Sequence, residues 1–563
     1  MRDFVNRMAA GTLRAIGKPL AAMSSFGDTT IPSPYAGADM YSQELASWLP
    51  NLGSGNSDYL GGRNRIVSRT RDLVRNSGWA SGAVSRHLDN VIGAGFRLSA
   101  KPDYLALGQT ADWAHEFAGE IESGWRMFAE DPDNYADATR HDNMNGLFGV
   151  AYRTRFVDGE AFAAALWIDN KAAGKYATTI QIIDPDRITN PYGAPDSPTL
   201  RWGIEIDDYG APVAYNVRLA HPADWPMASK SFRWERIARE TPWGRRQMLH
   251  VFDKDRADQV RGVSPLAPIL ERLKMIDKYD KVELQAAVLN AIFAAFIESP
   301  FDHDMLDAAM SPESPSLGKY QELRGDYHKK RGITLNGLQI PKLFPGEKFG
   351  MQAAARPAAQ FNSFEEACLR NIAAGIGLSY EQLSQDWSKT NYSSARAALL
   401  EVWRGFNRSR ARFAEQFATP IFALWLEEAI NRGDIELPKG APDLYAAKAA
   451  YCRVKWIGPA RGWVDPTKEA TAAQLRMDIG LSTLEDECAE QGKDWEEVLH
   501  QRKRELDLID ELGLPRPAWA DQLVLSPIGR QQTGAPPPEG EDAGDETNSD
   551  ATGKGNDGSK GNG

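Results

Sequence analysis

Apolar residues set the first boundaries along this chain. From Asn64 to about Glu130 they recur at helical spacing, most clearly Trp113, Phe117, Ile121, Trp125 and Phe128, which share one face and predict a helix packed on a core. Between about 145 and 255 the period shortens. Runs at Ala161–Ile168, Thr179–Ile183, Gly203–Ile206 and Val213–Val217, divided by Asp-Pro, Pro-Tyr-Gly and Asp-Tyr-Gly clusters, predict a mostly antiparallel β region.

Ser264-Pro265 offers an N-cap followed by proline at the first helical position, and Leu266, Leu270, Leu273, Ile276, Leu284, Val288 and Ile292 continue at near-helical spacing. Unbroken to Glu298, this helix would be roughly 50 Å long at 1.5 Å per residue. Pro300, Pro312, Pro315, Pro341 and Pro345 then rule out a continuing helix through Phe361, so 299–361 reads as a small mixed insertion. Ser363 with Glu366 makes a capping box for a second helix, with Leu369, Ile372 and Ile376 on its apolar face and Gly377 at its end. The pair predicts a stalk with a tip.

After a polar stretch over 382–394, a helix is expected from about Ala395 through Leu399, Trp403, Phe406, Phe413 and Phe417, kinked at Pro420. Residues 466–511 are again helical in pattern and strongly charged. Residues 1–62, rich in Gly, Ser, Pro and Ala, suit an arm lying on neighbouring subunits. The acidic tail from about 521 has too few apolar residues to fold.

With 563 residues the chain exceeds one compact core and suggests about three or four packed units. Its 42% apolar and 25% charged residues are ordinary for a folding protein. A formal charge of −12, from 77 acidic and 65 basic residues, argues against a tight nucleic-acid binder. Cys368, Cys452 and Cys488 are an odd count without a C-x-x-C pair, so no disulfide framework or zinc site is expected, and a reducing cytoplasm fits. Neither a membrane span nor a secretory leader is predicted.

The search for catalytic motifs finds no Walker A, H-E-x-x-H or G-x-S-x-G pattern, and no cofactor is implied. Gly553 to Gly558 spell G-x-G-x-x-G, but in the tail, without the strand and helix that would aim amides at a pyrophosphate. His87 is expected to be packed or solvated rather than a ligand. Asp184-Pro185-Asp186 and Asp207-Asp208 pair carboxylates that can hold Mg²⁺, yet both sit where turns are expected. Arg63, Arg65, Arg69, Arg71 and Arg75 form a positive run that can track phosphates; salt bridges to a neighbouring acidic subunit are the favoured expectation.

Several segments, in order, resemble the lambda-type portal proteins of tailed bacteriophages. They are Arg71 to Ala80 (RDLVRNSGWA) leading to Val91 to Leu98 (VIGAGFRL), then Arg261-Gly262-Val263-Ser264, then Ile372 to Ser384 (IAAGIGLSYEQLS) with Asn391 to Arg396 (NYSSAR), and finally Trp456-Ile457-Gly458 with Asp465 to Glu469 (DPTKE) and Gly480 to Thr483 (GLST). The likeness spans about residue 40 to 520.

The resemblance implies an α+β, mainly helical fold with wing, stem, clip and crown, one subunit of a dodecameric ring at a capsid vertex, found in the virion and, during assembly, in the host cytoplasm. It maps 1–62 to an arm, 63–261 to the wing, 262–298 and 360–378 to stem helices, 299–359 to the clip, 379–395 to a tunnel loop, 396–432 to a kinked wing helix, 433–520 to crown and C-terminal helices, and 521–563 to a disordered tail. Implied partners are other copies of the chain, the terminase large subunit, major capsid and scaffold proteins, head-completion proteins, and double-stranded DNA passing without sequence readout; no membrane is implied. A conduit must hold DNA loosely, because each strong phosphate contact is a barrier to sliding, and net acidity suits that. In the tunnel loop Ser388, Lys389, Thr390 and Asn391 would make exchangeable phosphate contacts, and in the clip Lys329, Lys330 and Arg331 would meet the terminase. The competing readings are a metal-dependent nuclease or capsid-maturation protease, and another ring-forming phage connector.

Overall fold

The computed structural model describes residues 52–169, 174–294, 361–390, 392–462 and 465–517, with short pieces at 37, 43–45, 47–50, 326, 333–335, 338–340 and 520. Its contacts divide the chain into two units, residues 1–494 and 495–563.

Helix α1 (Gly55–Leu60) belongs to the stretch expected to lie on neighbours, yet Tyr59 and Leu60 are buried against Val260 of the same chain. The predicted helical region 64–130 is broken. It forms α2 (Arg63–Asn76), α3 (Gly78–Val91), strand β1 (Arg97–Ala100) and α4 (Ala111–Ala129). Ser77 separates α2 from α3 in extended backbone, and Gly93, at φ +62, turns the chain toward β1. Strand β1 was invisible to periodicity because its partner is β11 (Val454–Ile457), paired antiparallel from Arg97↔Ile457 to Ala100↔Val454.

Next come α5 (Met144–Asp158), β2 (Glu160–Trp167), β3 (Thr178–Ile183), β4 (Leu200–Arg201), β5 (Ile204–Ile206), β6 (Pro212–Arg218), α6 (Ala228–Ser231), β7 (Trp234–Ala238) and β8 (Met248–Phe252). The strands make two antiparallel sheets, ordered β3-β2-β8 and β4-β5-β6-β7. Alternation along β2 divides the core. Ala161 and Ala163 face the main cluster, whereas Phe162 and Ala164 join Ile183, Ile204, Tyr215 and Met248 between the sheets. Burial on both faces explains why β2 reads as an almost unbroken apolar run.

Long helix α7 spans Leu270–Ala294. It begins later than Ser264-Pro265 suggested, because Pro268 lies in a 3₁₀ turn, Ala267–Ile269, that precedes it. Ser264 instead accepts from Leu266 N at 3.2 Å and donates to the Phe156 carbonyl at 2.9 Å, fixing the chain to α5. Within 299–360 the described backbone contains an antiparallel pair, β9 (Ile333–Leu335) and β10 (Leu338–Ile340).

Helix α8 runs Phe361–Ile376, so Ser363 lies inside it rather than at its cap. The capping box belongs to the short α9 (Tyr380–Ser384), where Ser379 and Gln382 satisfy each other's backbone amides. Helix α10 (Tyr392–Phe413) leads through a π turn, Ala414–Ala418, into α11 (Thr419–Arg432). Pro420 cannot donate to the preceding turn, and the wider π turn stands at that break in the ladder. There Gln416 bonds both the N–H and the carbonyl of Phe252, each at 3.0 Å, closing the free edge of β8.

The main core forms where α4 crosses α11: Trp125 meets Phe422 and Trp425 at ring separations of 5.7 and 5.6 Å. The chain continues through α12 (Lys448–Tyr451), β11, α13 (Pro466–Asp478) and α14 (Leu484–Glu490). The second unit contains α15 (Trp495–Glu511). The charged stretch 466–511 forms three helices.

Candidate functional site

Helices α7 and α8 pack side by side. Leu273 and Ile276 of α7 and Leu369, Ile372 and Ile376 of α8 are buried in the main core, and Tyr279 stacks on Phe361 at 5.3 Å. Leu273, at 1% exposure, belongs to this chain's own core. Other apolar residues of α7 remain outside: Met275, Val282, Leu284 and Val288 are 63%, 51%, 67% and 46% exposed. At 3.6 residues per turn, Met275 and Val282 lie within about 20° of each other, and Leu284 and Val288 occupy the opposite flank.

Gly377, at φ +72, ends α8, and the polar loop follows α9. Asp386 accepts from the Ser388 amide at 3.0 Å and from its hydroxyl at 2.6 Å, while the Thr390 hydroxyl donates to the Trp387 carbonyl at 2.9 Å. Lys389 is 66% exposed and pairs with Glu366 of α8, which also receives Arg370. The bond from Lys389 holds the Glu366 carboxyl below the usual carboxylate range, and Glu366 in turn raises the Lys389 ammonium. Ser388, Lys389 and Thr390 thus come together on one short loop. Asn391, Lys329, Lys330 and Arg331 lie outside the described residues.

An ion-pair frame centred on Glu160, which no sequence motif marked, anchors the base of α7. Glu160, the first residue of β2, is fully buried. It accepts from Arg261 Nε at 2.7 and 2.8 Å, Arg63 Nε at 3.2 Å, His250 Nε2 at 3.1 Å and the Gly262 amide at 3.2 Å. Burial alone would raise its carboxyl; Arg261 and Arg63 outweigh that and hold it well below the usual range. Arg261 also donates to the carbonyls of Pro185, Ile188 and Trp202 at 3.1, 3.1 and 2.8 Å. Its single side chain joins both sheets to the segment entering α7.

Arg71 extends the frame, binding Asp158 at 2.8 and 2.7 Å, Asp186 at 2.6 Å and Asp184 at 3.2 Å. The arginine run was expected to pair with a neighbouring subunit, but Arg63 and Arg71 are used within the chain because the loop after β3 brings Asp184 and Asp186 over α2. Arg65, Arg69 and Arg75 are exposed. Asp184, Asp186 and His221 do place ligand atoms within 4.8 Å of one another. The guanidiniums of Arg71 and Arg63 already supply the positive charge that a divalent ion would bring, which favours a structural turn over a nuclease centre. Asp207 accepts from the Tyr209 and Ala211 amides and likewise serves a turn. His87 is buried, its Nε2–H donating to the Ile376 carbonyl at 2.9 Å, and burial lowers its pKa to about 4.

The arrangement is a mixed α+β chain in which the segment entering the long helix α7 is held by buried ion pairs. The model of the phage portal proteins of the lambda family matches residues 41–410. Portal protein B of Escherichia phage lambda is 35% identical over 506 residues, 89% of this chain and 94% of that protein. The portal protein of Escherichia phage N15 is 34% identical over 492 residues, 86% and 92% of the two chains. A chain from the virion of a native gene transfer agent particle aligns over 83% of this chain and 97% of its own, at 14% identity and a TM-score of 0.38. By the family model and the two phage relatives, the chain belongs to the lambda family of phage portal proteins.

Proposed function

We propose that copies of this chain close into a ring of twelve at one vertex of the capsid, with α7 and α8 as stem, 299–359 as clip, the polar loop at the tunnel, and wing and crown formed by the rest. DNA is packaged and ejected through that ring, and the terminase and then the head-completion proteins dock on its clip. The observation that carries this reading is the pair of apolar flanks on α7. A subunit in a closed ring meets one neighbour on each side through two different surfaces, and Met275 with Val282 on one flank and Leu284 with Val288 on the other provide them.

Negative-stain microscopy of the purified full chain tests it: rings with a central hole are expected, and a monomer that never assembles refutes the reading. Charge reversal at Lys329, Lys330 and Arg331 should leave the rings intact and weaken terminase capture; undiminished capture removes those residues from the docking surface.

At the tunnel, Lys389 touches DNA phosphates while remaining tethered to Glu366. The loop carries Asp386 as well as Lys389, so its net charge is near zero and each contact is weak, as low friction requires. Lys389→Ala particles should assemble with normal portal content yet hold less DNA after a salt challenge. Equal DNA content in variant and wild-type particles would remove the role.

A further inference from the structure

A cavity of about 170 Å³ opens between the two β-sheets, away from the helix pair. One wall is the alternating face of β8 and its extensions: Arg246, Met248, His250, Phe252 and Lys254. Tyr215 of β6 stands opposite, and Arg239 closes the same end as Arg246. Three cationic side chains therefore meet one cavity.

Their charge is not balanced locally. Arg239 and Arg246 share one carboxylate, Glu240, at 3.3 and 3.8 Å, and Lys254 is exposed with no ion-pair partner among the described residues. His250 is committed to Glu160, and burial lowers its pKa. Burial, and then the neighbouring Arg239, push the Arg246 guanidinium down. Two guanidiniums that share a single carboxylate are an arrangement that a further anion relieves.

The polar group lining this cavity points to the same ligand. Tyr215 is 2% exposed and lines the cavity. Burial pushes its pKa up to about 12, so its hydroxyl stays protonated and can donate to an acceptor in the cavity.

We propose that this cavity is a binding site for a small phosphate-class oxyanion, held by the guanidiniums of Arg239 and Arg246 and the Tyr215 hydroxyl, with Lys254 at its mouth. Guanidinium geometry matches such an ion through paired N–H donors, and the phenol adds a third donor. The occupied site ties β6 to β8 and so braces the two sheets against each other. It requires neither a ring nor DNA.

The test uses the full-length protein and inorganic phosphate, titrated calorimetrically against chloride at matched ionic strength. Saturable binding is expected, with a thermal midpoint that rises with occupancy. Tyr215→Phe, which keeps the ring and its packing, should weaken binding about tenfold, and Arg246→Met at least as much. Phosphate effects equal to those of chloride, or saturable binding unchanged in folded Tyr215→Phe protein, would overturn the site. Should Arg246→Met fail to fold, the tyrosine variant alone decides. Competition by a 5′-phosphorylated dinucleotide but not its 5′-hydroxyl form identifies a nucleic-acid end as the phosphate source, and its failure to compete identifies the free ion.

Discussion

Glu160→Gln will destabilise the first unit by about 3–5 kcal/mol, the usual cost of stripping one partner from a buried ion pair. The substitution preserves shape and removes charge. Arg261, fully buried, would then face only carbonyls, and Arg63, 2% exposed, would retain only Asp186 as a charged partner. Chemical denaturation followed by tryptophan fluorescence measures the loss, and a change under about 1 kcal/mol would show that the frame is not what holds the sheets to α7. Limited proteolysis should also find the buried stretch from Gln259 to Ser264 newly accessible.

The same frame sets an acid limit. A carboxyl whose folded pKa lies below its unfolded value stabilises the fold above the unfolded pKa, and that contribution fades as pH falls toward the folded value. Glu160 is of this kind. His87 and His250 act in the same direction, because burial lowers both and the unfolded chain takes up protons that the folded chain refuses. For His87 the loss begins near its ordinary value of 6.5 and is complete near 4. Stability should therefore decline from just below neutral pH, and Glu160→Gln should flatten the steeper part at lower pH.

Gly262→Ala should be nearly as damaging. A Cβ there would sit 2.1 Å from the Gly159 carbonyl oxygen and 2.6 Å from Phe252 Cβ, and Gly159, at φ +91, is pressed in return against the backbone of Val263 and Ser264. Two glycines let the end of α5 and the entry to α7 pass at backbone contact. Only there can the Gly262 amide reach Glu160. A loss of about 1–3 kcal/mol or more is expected from the forced separation. Gly82→Ala is the control: it lies inside α3 with nothing within 4 Å of the added methyl and should stabilise by about 0.4–1 kcal/mol. If both variants behave alike in thermal denaturation, close passage is not the reason for glycine at 262.

What the amino-acid order determined was local. The stripe Trp113 to Phe128, the strands at 160, 178, 204 and 212, the long helix after Ser264 and the glycine closing α8 all follow from spacing, capping and turn chemistry, which act over a few residues. Family resemblance was equally legible, because its segments are contiguous in sequence. Tertiary structure alone decided the rest: β1 becomes a strand only through a partner more than 350 residues away, and Arg63 and Arg71 turn inward only because folding carries Glu160, Asp184 and Asp186 to them. Leu273 and Leu284 differ just as little in sequence, yet one is sealed in the core and the other left on a flank. Periodicity reports which residues share a face; which face finds cover depends on chain segments that no local window contains.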